Sequence, residues 1–375
     1  MNMLRFMTAG ESHGPGLVAL LDGIPAGLPL AADDLDPMLA RRQQGYGRGK
    51  RQQIEQDHVE ILAGVIDGNT IGAPLALLVP NRDYANWRDR EVPPWRRPRP
   101  GHADLAGAIK YDLDDLRLVA ERASARETAA RVAAGAVAVK LLANLGVRVG
   151  SYVRAIGPVR ADVEPLPLPE RVSLALTSSV SCPDKASAER MRAAIDAAQV
   201  AGDSLGGLFD VVAWGLPVGL GSHAQWDRRL DARLAAAVMS IQAVKGVEIG
   251  PAFANARLHG TAVHDALYPG DGGPQRRTNR AGGLEGGMTN GEPLLITAAM
   301  KPIPTTMAPQ PTIDLGSGQS VETEYQRSDG CAVPAAAVVG EAMVALTLAE
   351  AFLERYGGDS LTALQRRLGA GDERS

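Results

Sequence analysis

Residues 122–146 read RASARETAARVAAGAVAVKLLANLG, and this stretch carries the strongest structural pattern in the chain. Ser124 and Glu127 have the spacing of a capping box at the start of a helix, and an alanine-rich run follows them. Gly146 stands where a residue of left-handed conformation commonly ends a helix. The stretch therefore predicts a helix over 125–145.

Capping residues, glycines and periodic patterns place further elements on both sides of this helix. Further helices are predicted over 184–200, 231–245 and 334–356. Strands are predicted over 16–24, 58–66, 75–79, 147–157, 171–180, 208–214 and 293–300. Loops are predicted over the proline-dense segments 90–100 and 163–169. Helices and strands alternate in places and cluster in others, which favours a mixed α/β or α+β fold over a regular parallel sheet.

The composition is that of a folded chain with a substantial core. Of 375 residues, 45% are apolar and 22% are charged, and glycine and proline stay below the level that marks disorder. The two cysteines, Cys182 and Cys331, lie far apart and have no histidines at metal-ligand intervals, so neither a disulfide framework nor a metal site is indicated. No signal-peptide pattern and no membrane-spanning apolar run is found, so the expected location is the cytoplasm.

Arginines are concentrated in two blocks although the net charge is −4. Residues 41–51, RRQQGYGRGKR, contain no acidic residue, and residues 82–99 hold six arginines against three acidic residues. Only six of the 39 basic residues are lysine, and arginine suits bidentate recognition of phosphate or carboxylate. The blocks indicate either a site for an anionic ligand or a solvated face.

Two of the six histidines lie in glycine-flanked polar turns. His13 occurs in TAGESHGPG, residues 8–16, and His102 occurs in RPRPGHADL, residues 97–105. Such turns let the backbone approach a ligand, and an imidazole can protonate a departing phosphate or an anionic ring nitrogen near pH 7. The alternative for each is an ordinary surface histidine.

Further segments could meet an anion. The predicted helix start at Ser124 offers free amide donors, and the glycine-rich loop 281–291 permits close backbone approach but matches neither a P-loop nor a Rossmann fingerprint. Lys301 in KPIPTT adds a cation on a rigid extended backbone, which suits a flat cofactor with a phosphate tail. Arg327 and Asp329 pair a carboxylate with a cation that keeps it ionised. These features indicate an anionic ligand and acid–base chemistry. The alternatives are a capped amphipathic helix with solvated arginines, ordinary turns at the glycine loop and KPIPTT, and a surface ion pair at Arg327 and Asp329.

Eight polar motifs follow one another along nearly the whole chain: GESHG at 10–14, RRQQGYGRG at 41–49, RPGHAD at 99–104, RASARETAARVAAGA at 122–136, IQAVKGVEIG at 241–250, AGGLEGGMTNGEP at 281–293, KPIPTT at 301–306 and QRSDGCAVPAA at 326–336. Their order and spacing resemble those of the chorismate synthase family. The resemblance implies a lyase of the shikimate pathway, which leads to the aromatic amino acids. It would convert 5-enolpyruvylshikimate 3-phosphate to chorismate by an anti-1,4-elimination of phosphate that needs reduced FMN without net redox change.

The resemblance also implies roles for individual residues. The implied substrate-binding residues are Arg42, Arg48, Arg51, Arg126 and Arg327. The implied catalytic residues are His13 as proton donor to the leaving phosphate, His102 beside the reduced flavin, and Asp329 with Ser124 in moving the proton from the substrate's C6 to the flavin. The implied flavin contacts are Arg122, Ala123, Ser124, Gln242, Ala243, Gly286, Lys301, Pro302, Ile303, Pro304, Thr305 and Arg327. Arg42 and Arg48 are also family positions for NADP, which is a weaker implication because only some members reduce their own flavin.

For the whole chain, the resemblance implies a single domain over 1–375 and a homotetramer. The implied fold is a β-α-β sandwich with antiparallel sheet layers between helices. No added reductase module is recognised, so a monofunctional enzyme served by an external flavin reductase is expected, with NADPH as a further candidate reductant. Segment 82–97 has no assigned place in the family pattern.

Two other functions are alternatives to this one. A nucleic-acid-binding protein is suggested by Tyr46, Trp87 and Trp95 among the arginines, but the net charge of −4 and the 4% aromatic content disfavour it. An FMN-dependent reductase could use the same site, and reduction of bound FMN by NADPH without phosphate release would favour it. No membrane partner is expected.

Overall fold

The computed structural model describes residues 4–48, 56–270, 273–325 and 329–372, with side chains through residue 369. The strands are β1 Arg5–Ala9, β2 Gly16–Asp22, β3 Glu60–Ala63, β4 Val65–Ile66, β5 Asn69–Thr70, β6 Leu75–Pro80, β7 Arg148–Ile156, β8 Val159–Arg160, β9 Gly207–Trp214, β10 Val244–Ile249, β11 Leu267–Tyr268, β12 Gln275–Arg276, β13 Leu284–Glu285, β14 Met288–Thr289, β15 Leu294–Met300, β16 Pro311–Ile313 and β17 Ser320–Glu322. The helices are α1 Ala32–Gln43, α2 Asp104–Tyr111, α3 Leu116–Ala123, α4 Thr128–Asn144, α5 Leu168–Leu176, α6 Lys185–Val200, α7 Leu230–Met239, α8 Ala252–Asn255, α9 Gly260–Val263, α10 Val333–Tyr356 and α11 Leu361–Asp372.

The described strands form two larger antiparallel sheets and four two-stranded pairs, β4-β5, β11-β12, β13-β14 and β16-β17. The first has the strand order β1-β2-β6-β3, and the second has the order β10-β15-β9-β7-β8. In β6 the side chains of Leu75, Leu77 and Val79 are buried while the residues between them are only partly covered. That alternation is expected of an antiparallel sheet with one face on the core.

A pair of helices packs between these sheets. α4 contacts β2 and β6 of the first sheet, α10 contacts β7 and β9 of the second, and the two helices contact each other. A Cβ added at Gly135 of α4 would overlap Ala342 of α10, and one added at Gly340 would lie 2.7 Å from the Phe209 ring on β9. The two glycines therefore allow α10 to approach both a helix and a sheet closely.

α10 is long and apolar enough to cross a membrane by length and composition, but 94% of its apolar window is buried inside the protein. Its buried carboxylate, Glu341, accepts two hydrogen bonds from Arg41 of α1 and one from Ser151 of β7. The helix is therefore a core helix whose polar group is paired internally.

The predicted α+β class is confirmed, and most predicted elements are present within a few residues. The predicted helix over 125–145 is a 3-10 turn, Ala125–Glu127, followed by α4, and Gly146 has φ +82° as expected. The capping box is wrong in detail. The Ser124 side chain accepts from the backbone of Arg126, but its N–H is donated to Ala120 at the end of α3, so Glu127 turns to other partners.

The predicted strand over 171–180 is wrong, because this segment holds helix α5. Pro169 stands in the first turn of α5, where a missing N–H costs nothing, and Glu170 adds a favourable negative charge there. Arg171 is buried and donates hydrogen bonds to the Tyr152 hydroxyl and the Leu166 carbonyl. Tertiary contacts thus favour the helix over the apparent strand alternation. The predicted loop over 163–169 is shortened at its end by the start of α5.

The predicted helix over 231–245 is too long. α7 ends at Met239, and strand β10 begins at Val244 after a turn in which Ala243 has φ +66°. Backbone pairing of β10 with β15 in the second sheet replaces the last helical turn. The chain therefore changes structure at Gln242 and Ala243, two of the residues that the family resemblance singles out.

Candidate active site

The turn that carries His13 is closed tightly by its glycines and by one buried asparagine. Gly10 has φ +106°, and a Cβ there would overlap the carbonyl of Gly16. The Asn81 side-chain amide donates to the carbonyl of Gly14 at 2.8 Å and to that of Glu11 at 3.2 Å. The turn thus presents His13 on a fixed backbone.

Glu121 of α3 binds His13 through both of its carboxylate oxygens. One oxygen lies 2.8 Å from the imidazole Nδ1, and the other accepts from the His13 backbone N–H at 2.8 Å. The Trp87 ring lies against the imidazole, with the ring centroids 3.9 Å apart. Burial raises the pKa of the Glu121 carboxyl, but the hydrogen bonds from His13 outweigh it, so the pKa lies below its usual value.

Three arginines and two carboxylates form a largely buried group that we term the arginine cluster: Arg42, Arg48, Arg126, Asp57 and Asp329. Asp57 pairs with Nη1 of Arg42 at 3.3 Å and with Nη1 of Arg126 at 2.6 Å. Nη1 of Arg48 lies 2.7 Å from Asp329. Burial lowers the pKa of Arg42 to about 10. The negative charge of Asp57 opposes this shift, whereas the positive charges of Arg126 and Arg48 lower the pKa further.

Asn81 joins the arginine cluster to the His13 turn, because its side-chain oxygen accepts from Nε of Arg126 at 2.8 Å. The cluster has one more cation than anion, which favours an anionic ligand. Among the residues that the structure describes, the buried Nε of Arg48 has no hydrogen-bond acceptor. Two other predicted substrate residues, Arg51 and Arg327, lie outside the described residues.

His102 has its own carboxylate partner at the start of α2. Its Nδ1 lies 2.6 Å from Asp104, which also accepts from Nε of Arg99 at 2.7 Å. Burial alone raises the pKa of Asp104, but the hydrogen bonds from His102 and Arg99 hold it well below its usual range. A Cβ built at Gly101 would lie 3.7 Å from both Lys301 Nζ and Pro304. The structure therefore brings the RPGHAD and KPIPTT motifs together.

A cavity of about 450 Å³ lies at the end of α3 and the start of α4. It is lined by Phe6, Met7, Thr8, Arg122, Glu127, Arg131, Ser240, Gln242 and Met343. Arg122 donates to the carbonyl and hydroxyl oxygens of Thr8, and Nε2 of Gln242 donates to Glu127 at 3.2 Å. Within the described part of the chain, the buried Oε1 of Gln242 has no hydrogen-bond donor. Gln242, which lines the cavity, thus has a buried side-chain acceptor that lacks a donor among the described residues.

The Lys301–Thr305 stretch, which includes Pro302, Ile303 and Pro304, is fastened near this cavity. The carbonyl of Ala243 accepts from the backbone N–H of Lys301 at 2.9 Å, and the carbonyl of Ile303 accepts from the Ser204 hydroxyl at 2.7 Å. Burial and the nearby charge of Lys245 lower the pKa of Lys301. Ala123 ends α3, and Ser124 caps the 3-10 turn that follows.

Gly286 is not brought together with the other predicted cofactor residues. It lies in the β13–β14 hairpin, which is anchored at the start of β15, whereas Lys301 follows the end of that strand. β15 has 7 residues, which span about 20 Å in an antiparallel sheet. One chain therefore holds the predicted cofactor residues in two separate places.

Several site residues were not identified from the sequence. Asp57 and Asn81 carry no local motif, and only the fold shows that they bridge other site residues. Glu121 directly precedes the motif that begins at Arg122, and Asp104 is the last residue of RPGHAD, so a search for carboxylates near the two histidines could have found their pairing. Trp87 lies in segment 82–97, which now has a place against His13.

The fold is α+β, and the site combines a net-positive group of arginines, two histidine–carboxylate pairs and a cavity, a set of features typical of enzymes that act on anionic ligands. Comparisons with known proteins give the particular family. The model of the family described as chorismate synthase matches residues 4–353.

Two curated relatives named chorismate synthase match nearly the full chain. The relative from Geobacter sulfurreducens is 52% identical over 381 residues, with 97% of each chain covered. The relative from Rubrobacter xylanophilus is 57% identical over 364 residues, covering 95% of this chain and 93% of that one. A crystal structure of chorismate synthase matches with a TM-score of 0.82 at 43% identity, covering 99% of this chain and 98% of the other. The chain belongs to the chorismate synthase family, as predicted, and its function is that of this lyase.

Proposed function

We propose that the chain converts 5-enolpyruvylshikimate 3-phosphate to chorismate by anti-1,4-elimination of phosphate, with reduced FMN bound beside the substrate. The observation that carries this proposal is the link made by Asn81 between the arginine cluster and the His13 turn. A histidine linked in this way to a cationic site supports the proposal, because the departure of a phosphate is eased by a proton donor beside it.

The arginine cluster is the proposed substrate site. The substrate carries a phosphate and two carboxylates, and guanidinium groups recognise both with paired hydrogen bonds. Asp57 holds Arg42 and Arg126 in place, so the two side chains need little further ordering when the substrate binds. Arg48 contributes a buried Nε that lacks an acceptor among the described residues. Arg51 and Arg327 are proposed to complete the site.

Three residues are proposed to take part in proton transfer, and a fourth is proposed to stabilise charge. His13, held by Glu121, protonates the leaving phosphate oxygen as the bond to carbon breaks. Asp329, held by Arg48, and Ser124 assist the removal of the proton from the substrate's C6. His102 is proposed to stabilise negative charge beside the cofactor, since Asp104 and Arg99 fix its position.

The residues around the cavity fit a flavin. Its volume is in the range of small-molecule sites, and the Gln242 acceptor would suit a ring N–H. Arg122, Ala123, Ser124, Gln242, Ala243, Arg327 and the Lys301–Thr305 stretch are the proposed contacts. Reduced FMN, when bound, supplies an electron-rich ring that eases the loss of phosphate without net redox change. Assignment of Arg42 and Arg48 to NADP is a secondary proposal, and an external reductase is the proposed source of reduced flavin.

At the scale of the assembly, we propose a single β-α-β sandwich domain over 1–375 that forms a cytoplasmic homotetramer. One cluster of buried side chains runs from Leu4 to Leu364, which supports a single domain. The separation of Gly286 from the other cofactor residues supports a site completed by a second copy.

The two histidine roles are tested by His13→Ala and His102→Ala. Each variant is expected to lower turnover by about 100-fold or more, because general acid catalysis contributes about 10² to 10⁴. Circular dichroism of each variant should match that of the wild-type protein. Wild-type rates in both variants from pH 6 to 9 would overturn these roles.

A further inference from the structure

Trp87 is held in one place by its own segment. Residues Arg82–Asn86 form a 3-10 turn, and the indole N–H of Trp87 donates to the buried Asp83 at 3.2 Å. Asn86 donates to the other oxygen of Asp83 at 2.9 Å. The hydrogen bond to Asp83 therefore holds the indole in place against the His13 ring.

Glu121 determines which nitrogen of His13 carries a hydrogen. An ionised carboxylate can only accept hydrogen bonds, so the Nδ1 that faces it carries hydrogen in both the neutral and the protonated imidazole. The second carboxylate oxygen holds the His13 backbone, which prevents the carboxylate from turning away. The proton gained and lost by the ring is then the one on Nε2.

We propose that Glu121 and Trp87 are positioning residues for His13: Glu121 fixes the tautomer, and Trp87 fixes the plane of the ring. The inference rests on the proposed role of His13 as proton donor. The proton given to the leaving phosphate oxygen then departs from Nε2, and the neutral ring keeps its hydrogen on Nδ1. Trp87 and the Asp83 that anchors it thereby become part of the active site.

The first test is ¹⁵N NMR of protein with ¹⁵N-labelled histidine, with the His13 signals assigned from their loss in His13→Ala. At alkaline pH the wild-type His13 is expected to show a protonated Nδ1 and an unprotonated Nε2. Glu121→Gln should remove this preference, since an amide can donate to Nδ1 as well as accept from it. The His102 signals provide an internal control, because Asp104 remains in place. A wild-type His13 with its hydrogen on Nε2 would overturn the proposal, even if Glu121→Gln failed to fold.

The second test is kinetic and uses chemically reduced FMN. Glu121→Gln is expected to lower kcat about 10- to 100-fold, less than His13→Ala, while substrate affinity changes by less than about twofold. Glu121→Asp should recover part of the rate. Trp87→Leu should lower kcat more than Trp87→Phe, which keeps an aromatic face, and Asp89→Asn on the exposed side of the segment should not change it. An unchanged kcat in Glu121→Gln would contradict the proposal. Absence of wild-type turnover together with the predicted tautomer would instead contradict the proposed function.

Discussion

At the scale of single residues, Asp57 has the largest effect on the arrangement of the site. Its side chain is fully buried and pairs with two arginines at once. The sequence shows the arginines but not this carboxylate, because a lone aspartate after an arginine-rich block has no pattern of its own. Only the fold brings it between Arg42 and Arg126.

Asp57→Asn should therefore destabilise the protein. It removes one negative charge between two buried cations, and breaking a buried pair in this way costs about 3–5 kcal/mol. Urea denaturation should show this loss in the free energy of unfolding. The matched control is Asp89→Asn, which breaks an exposed pair with Arg88 and should cost less than about 1 kcal/mol. Equal stability of the two variants would contradict the assigned role of Asp57.

Asp104 should contribute stability that depends on pH. The pKa of its carboxyl lies well below the unfolded value of about 3.9, because hydrogen bonds from His102 and Arg99 outweigh the opposing effect of burial. This contribution is fully present above that unfolded value and is lost as the pH falls towards the folded pKa.

The stability difference between wild type and Asp104→Asn should thus be largest above about pH 5 and shrink below about pH 4. Denaturant titrations from pH 2.5 to 7 measure it. A difference that stays constant down to pH 2.5 would show that the Asp104 carboxylate is not paired as described.

At the scale of elements, the sequence predicts where α4, α6 and α10 begin and end because caps and glycines are local signals. The helix over 168–176 and the end of α7 at Met239 were missed, because they depend on contacts with Tyr152 and on pairing with β15. Periodicity cannot show such contacts, and tertiary structure overrides it.

The close contact between α4 and α10 gives a prediction at this scale. Gly135→Ala should lower the free energy of unfolding by about 1–3 kcal/mol, because the new methyl group lies 2.5 Å from Cα of Ala342. Helix propensity alone would favour alanine by about 1 kcal/mol.

The matched control is Gly369→Ala in α11, where a Cβ meets no atom of the described residues within 4 Å. This variant should be unchanged or more stable by up to about 1 kcal/mol in the same urea titration. Stabilisation by Gly135→Ala would contradict the close packing of the two helices.

At the scale of the whole molecule, the sequence predicted the members of the site better than their arrangement. Motifs around His13, Arg48 and His102 were recognised locally, but the bridges through Asn81 and Asp57 join residues far apart in the chain. The sequence likewise could not predict that Gly286 lies near the start of β15 while Lys301 follows its end, because this separation depends on the sheet. Local chemistry is encoded in short motifs, whereas their convergence depends on the fold.

The most direct test of the central claim is anaerobic release of phosphate and chorismate from 5-enolpyruvylshikimate 3-phosphate by the full chain, measured with chemically reduced FMN and, separately, with NADPH plus FMN. We predict equal amounts of phosphate and chorismate in the first condition and none in the second, as expected of a monofunctional enzyme. Turnover in both would show intrinsic flavin reduction and support the secondary assignment of Arg42 and Arg48 to NADP. Release of neither product by folded protein with reduced FMN would contradict the account.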